Sequence, residues 1–288
     1  MNSKKFMEAF IHGIFLILGF ITVGCVLLIT AYLVVSGIPA MGEIGLGKFL
    51  FGSKWAPTSS DPQYGILPFI LTTICGTAGA IAIGVPIGFM AAVYLSKMAK
   101  PKAKFTILSA VSVLAGIPSV VYGLVGMLVL VPGIRKLFHV PDGSGLLAAI
   151  IVLAIMILPS IIKMSVTALD AVPREYEDAS LALGATPVET YFRVSVPAAR
   201  SGIAAAVVLG IGRAVGEAMA VMMVAGNAAN MPDSLFQSVR FLTTAVSSEM
   251  SYSSGLHRQA LFSIALVLFA FNMIINATLN FILKREKE

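Results

Sequence analysis

The stretch GIGRAVGEAMAVMMVAGN, Gly210 to Asn227, is apolar except for Arg213 and Glu217. On insertion scales an arginine at the centre of a membrane helix costs about 2.5–3.5 kcal/mol, and a glutamate should cost a broadly similar amount. Residues four apart share one helix face, about 6 Å apart along the axis at a rise of about 1.5 Å per residue. The two can therefore pair, and their face has to point into a bundle or into water. Two chemistries fit. One is a structural ion pair that locks helices together. The other is a pathway for an anion, because a guanidinium presents a planar fork that matches phosphate oxygens. In that case Glu217 neutralises Arg213 between turnovers, or accepts a hydrogen bond from protonated phosphate, which sulfate cannot offer at neutral pH.

Nothing else in the chain competes for chemistry. Cys25 and Cys75 lie in apolar runs without a C-x-x-C spacing, and His12, His139 and His257 are isolated from one another. Small apolar packing is the expected role of such cysteines, and no metal site or cofactor is expected. A nucleotide-cradling G-x-x-x-x-G-K-[ST] is absent, since the one Gly-Lys pair, Gly47-Lys48, precedes Phe49. GIGRAVG lacks the glycine spacing and preceding strand of a dinucleotide fingerprint. Ser160 and Lys163 form only a chance S-x-x-K. No catalytic residue is expected.

The elements that must position Arg213 and Glu217 are membrane helices. The 288 residues are 58% hydrophobic and 12% charged, against roughly 25% charged in soluble domains. Mean hydropathy is +0.93. The expectation is an all-α integral membrane protein forming a single transmembrane domain over residues 1–288. Six spans are expected at about 13–35, 66–95, 105–131, 146–165, 202–226 and 260–283, each long enough for the ~20 apolar residues a crossing needs, with the long second run beginning or ending outside the hydrocarbon and the fifth qualifying if its charged pair is tolerated. The first is too long for a signal peptide and is read as retained.

Placing both termini in the cytoplasm puts 13 of the 20 cationic residues inside: Lys4, Lys5, Lys97, Lys100, Lys102, Lys104, Lys163, Arg174, Arg193, Arg200, Lys284, Arg285 and Lys287. Six lie outside: Lys48, Lys54, Arg135, Lys136, Arg240 and Arg258. The positive-inside rule thus favours an N-in, C-in topology, and the net charge of +6 reports that asymmetry and not nucleic-acid binding. Gly84–Gly88 and Gly212–Gly216 have the spacing of close helix packing in lipid. In the outer loops, Trp55 and the segment MPDSLFQSVRFLTTAVSSEM are expected to anchor at the interface.

The longest inner loop, residues 171–200, carries dense start and stop signals. Pro173 suits a first helical position, and Glu175, Glu177 and Asp178 suit a helix N-terminus. Gly184 can close that helix as C′. Thr186, Pro187 and Glu189 then form a capping box for a second helix, which Pro197 stops. A rigid helix–Gly–helix at a membrane surface is something another protein can grip.

This loop resembles the EAA signature of ABC-importer permeases. Asp178-Ala179-Ser180, Gly184 and Val194-Ser195-Val196-Pro197 stand at the matching spacings, with Glu177 adjacent to the acid. YGILPFI, GIPSVVYG, AIMILPS, ALGAT, GRAVGEAMAVMMVAGN and GLHRQALF extend the resemblance, from Trp55 to Phe262, to the PstC-type phosphate permeases.

The resemblance implies a non-enzymatic permease of the cytoplasmic membrane that imports inorganic phosphate. It implies a homologous second permease, two ATPase subunits, an extracytoplasmic phosphate-binding protein and surrounding lipid as partners. It also implies ATPase coupling through Glu177, Asp178, Ala179, Ser180, Gly184 and Pro197, with Arg213 and Glu217 in the substrate pathway. A permease for molybdate, sulfate or phosphonate, an ion-driven secondary transporter and a non-transporting scaffold are the alternatives. The intramembrane acid of a secondary transporter would titrate, and that protein would need no docking loop.

Overall fold

The computed structural model describes residues 3–285, and Lys287 lies outside them. The chain is almost entirely helical. In order come α1 (Ser3–Ile44), α2 (Leu46–Phe51), a hairpin of β1 (Trp55–Ala56) and β2 (Gln63–Tyr64), and α3 (Leu67–Val93). Next are α4 (Pro101–Gly116), α5 (Ser119–Val125), α6 (Val131–Phe138) and α7 (Leu146–Asp170). An arm of α8 (Arg174–Ala182), α9 (Pro187–Thr190) and α10 (Val196–Ala198) leads to α11 (Arg200–Gly216) and α12 (Met219–Val224). The last helices are α13 (Leu242–Glu249) and α14 (Gly255–Arg285). Wide π turns extend α3, join α5 to α6 and join α9 to α10. Among the described residues five helices are long and apolar enough to cross a membrane, or six if the bent run from Pro187 to Gly216 is one span.

α7 is the central post, with 15 of its 25 residues buried. It packs along α3, which presents glycines to it. A Cβ at Gly84 would lie 2.7 Å from Ile157 Cδ1, and one at Gly88 would lie 2.8 Å from Ile161 Cγ2. The small-residue spacing at 84 and 88 is therefore a packing seam, as close approach in lipid requires. The same spacing at Gly212 and Gly216 is not. A Cβ at either position would meet nothing within 4 Å, so that face of α11 stays open within the chain.

Two expected spans are broken. The run 105–131 divides at Ile117–Pro118, where Ile117 is extended (φ −69°, ψ 127°). Proline has no N–H to donate and disfavours the α region in the residue before it. The apolar helix long enough to cross is instead Ser119–Phe138. The run 202–226 divides at Glu217. By contrast α3 continues through Pro86, and Pro68 starts it within the first turn.

Neither outer loop lies as an interfacial anchor. Trp55 is buried, and its indole Nε1 donates to Glu249 Oε2 at 3.0 Å. Glu249 is itself buried and is bound from the other side by Arg240 and by His257 Nε2 at 2.8 Å. Arg240 Nε also donates to the Asn227 carbonyl, and its guanidinium lies over the Phe69 ring. α13 is folded in rather than flat, with Leu242 N donating to Thr73 Oγ1 and Thr243 Oγ1 to the Glu217 carbonyl. Burying one carboxylate against a guanidinium, an indole and an imidazole binds the hairpin, α13 and α14 into one cap. Leaving a buried pair half-made costs about 3–5 kcal/mol. Glu249→Ala should therefore lower the melting temperature of the purified protein strongly, and Glu249→Gln, which keeps an acceptor for Trp55, should lower it less. Equal melting of all three proteins would show that the cluster does not hold the cap.

Candidate functional site

Arg213 sits in the last turn of α11. The helix stops three residues later, and Glu217 is extended at φ −73° and ψ 128°. The expected shared face does not form. Glu217 Oε1 instead accepts from the Ala220 N–H at 3.1 Å, covering an amide at the start of α12. Its carbonyl is held by Thr243 Oγ1 at 2.7 Å. Capping plus this tether outweighs one more turn of helix, in a segment already weakened by Gly212 and Gly216. Among the described residues no carboxylate comes within ion-pairing distance of Arg213. The structural-lock chemistry therefore has no partner among the described residues.

Arg213 is half-buried and opens on a cavity of about 890 Å³. α7 contributes Ser160 and Met164, α11 contributes Gly212 and Arg213, and α14 contributes Asn272 and Asn276. The open glycine face of α11 and the arginine thus belong to one concavity. The polar residues on α14 escaped the sequence reading, although two asparagines four apart in an apolar run are a visible signal. A cation, two carboxamides and a hydroxyl on otherwise apolar walls can bind an anion there.

The arm bears out the local sequence signals. Gly184 follows the end of α8 at φ +87°, a conformation only glycine adopts cheaply. The capping box is complete: Glu189 N donates to Thr186 Oγ1, and Thr186 N donates to Glu189 Oε2 at 3.0 Å. The Thr186 N–H and hydroxyl, both donating to Glu189 Oε2, hold that carboxyl below its usual range. Two details shift. Pro173 precedes α8 as its cap, and Pro197 lies inside α10, one residue short of the bend.

Glu177 points inward, where its Oε1 meets Lys97 Nζ at 2.5 Å and Ser195 Oγ at 2.8 Å. Lys97 Nζ also donates to the Leu169 carbonyl. One carboxylate therefore ties α8 to both the end of α3 and the second half of the arm. Ser180 Oγ bonds Thr190 Oγ1. Asp178 and Ala179 face outward, beside Leu181 and Leu183, the latter 90% exposed. From the arm the chain turns through 72° into α11.

The family described as "Binding-protein-dependent transport system inner membrane component" matches residues 84–288. A Bacillus subtilis (strain 168) protein named "Probable ABC transporter permease protein YqgH" is 38% identical over 263 residues, covering 90% of this chain and 85% of its own length. The "Phosphate transport system permease protein PstC" of Haemophilus influenzae is 34% identical over 282 residues, covering 91% and 88%. Among solved structures, an inward-facing MetNI methionine ABC transporter is similar with a TM-score of 0.56 and 22% identity, over 77% of this chain and 94% of that one. That similarity concerns the fold.

Because Arg213 and Glu217 do not pair with each other, their effects on stability should add. A double-mutant cycle of Arg213→Met and Glu217→Met, read by thermal melting, should give a coupling below about 0.5 kcal/mol. Coupling of about 2 kcal/mol or more, on the order expected of a buried pair, would restore the lock.

Proposed function

This chain belongs to the binding-protein-dependent transport system inner membrane component family, and on that premise we propose that it is the permease subunit of an ATP-driven importer of inorganic phosphate in the cytoplasmic membrane. Phosphate is supported by relatives named PstC in three organisms, 32–34% identical over most of the chain. The observation that carries the reading is Arg213, a cation inside an apolar span, without an acidic partner among the described residues and open to a cavity. A guanidinium so placed is stabilised by an anion that comes and goes.

The chain works with a homologous permease, two ATPase subunits and an extracytoplasmic phosphate-binding protein. Its exposed Asp178, Ala179, Leu181 and Leu183 offer the ATPase a rigid edge, and Glu177 fastens that edge to α3. Motion of the ATPase turns the arm, and the arm turns α11 about the bend at Ala199. α11 spans about 24 Å at the helical rise and carries Arg213 near its far end. Displacing the arm thus opens or closes the arginine to one side of the membrane. The transmembrane domain crosses six times, with both termini inside.

Two experiments test this. In proteoliposomes holding the complete importer, Arg213→Gln should abolish uptake of labelled phosphate while the complex stays assembled. Gly184→Asp is strained by its backbone although its Cβ meets nothing within 4 Å, and it should leave ATP hydrolysis running without uptake. Normal transport by both variants would refute the pathway and the coupling arm together.

Topology is tested with single cysteines in a background lacking Cys25 and Cys75. Exposed Ser59→Cys and Ser254→Cys should react with an impermeant thiol reagent from outside, and exposed Ala182→Cys only after the membrane is opened. The reverse pattern would overturn the N-in, C-in orientation.

A further inference from the structure

Arg213 does not face its cavity alone. Asn272 and Asn276 stand one turn apart on α14 and line the same space. Asn276 Nδ2 donates to Asn272 Oδ1 at 3.2 Å, and among the described residues neither side chain makes another hydrogen bond. Each carboxamide has two N–H donors and an oxygen with two lone pairs, so the pair keeps both donors and acceptors free. Polar groups within a span are expensive unless they are satisfied or line a pathway. Ser160 adds a hydroxyl from α7. The chamber therefore offers one positive charge, several neutral donors and neutral acceptors, from three helices.

We propose that Asn272 and Asn276 complete the oxyanion site around Arg213 and set its selectivity for a protonated tetrahedral anion. Their N–H groups donate to charged oxygens, and a carboxamide oxygen accepts from the P–OH. This deepens the phosphate-import reading and rests on it. The P–OH had an obvious acceptor in Glu217, but that side chain turns to the start of α12 and does not line the cavity. A carboxamide does the same work without repelling the anion. Sulfate at neutral pH has no O–H, so it would strand the acceptor, and a site built to bond a substrate hydroxyl discriminates against a partner lacking it.

The complete importer is assayed twice: for uptake in proteoliposomes, and, in nanodiscs without the binding protein, for equilibrium binding of labelled inorganic phosphate with sulfate as competitor. Replacing both asparagines by leucine, which keeps the branched shape and the helix, should reduce phosphate uptake at least about tenfold, the loss expected for one hydrogen bond to a charged group. Sulfate, a weak competitor against the unvaried complex, should then compete on equal terms. Arg213→Gln should weaken both anions alike. If the leucine pair does not assemble, Asn272→Ser with Asn276→Ser is read by the same competition.

Phosphate uptake within about twofold of the unvaried importer, well short of the loss of a hydrogen bond to a charged group, with sulfate competition unchanged, would overturn the proposal and leave the phosphate reading standing. Import of another oxyanion and no phosphate by the unvaried complex would overturn both.

Discussion

A single positive charge inside hydrocarbon constrains much of this structure. Arg213 could be housed by a fixed counter-ion, by water or by a transient anion. The chain withholds the first option among its described residues, since Glu217 turns to Ala220 instead. The surroundings of the guanidinium give up stability to accommodate it. α11 ends early, its glycine face stays uncovered, and two asparagines sit in the apolar α14. A closed, well-packed bundle would be more stable and could bind nothing at its centre.

The inner surface answers the same constraint mechanically. A groove between α7, α11 and α14 is useful only if something outside can move its walls. The arm is stiff because each of its joints is chemically specified: glycine at the turn, a capping box after it, and Glu177 bonded to both Lys97 and Ser195. The 72° bend joins this stiff arm directly to α11. The exposed leucines at its tip are costly in water, as expected of a surface kept bare for a partner.

The parts that were legible in the sequence are those set by neighbours along the chain. Gly184, Thr186 and Glu189 fold as their local chemistry dictates. The apolar runs also announced themselves, because solvent alone selects them. What was hidden depends on residues far apart. The i,i+4 logic for Arg213 and Glu217 assumed an unbroken helix, but Thr243, on another element, helps hold the break open. Trp55 looked like a surface anchor because its acceptor lies 194 residues away. The residues of the permease signature stood out by pattern, yet their division into an inward Glu177 and an outward Asp178 needed Lys97 and Ser195 in place. Pro118 was visible, but apolarity alone could not say whether it breaks a span, as it does, or is tolerated, as Pro86 is.

α1 poses a different matter, that of biosynthesis. It is exposed along most of its length and is held chiefly along α14, where Gly37 lets the Phe262 backbone approach and Ser263 Oγ bonds the Gly37 carbonyl across 226 residues. α1 leaves the ribosome well before α14 and therefore finds its main seat only when α14 has been inserted. Until then it sits as a lone helix in lipid, where no hydrophobic force drives it toward the others. Contacts of such separation form slowly. Docking of α1 thus waits for α14, and a nascent chain cut short before α14 would carry α1 without the seat that holds it.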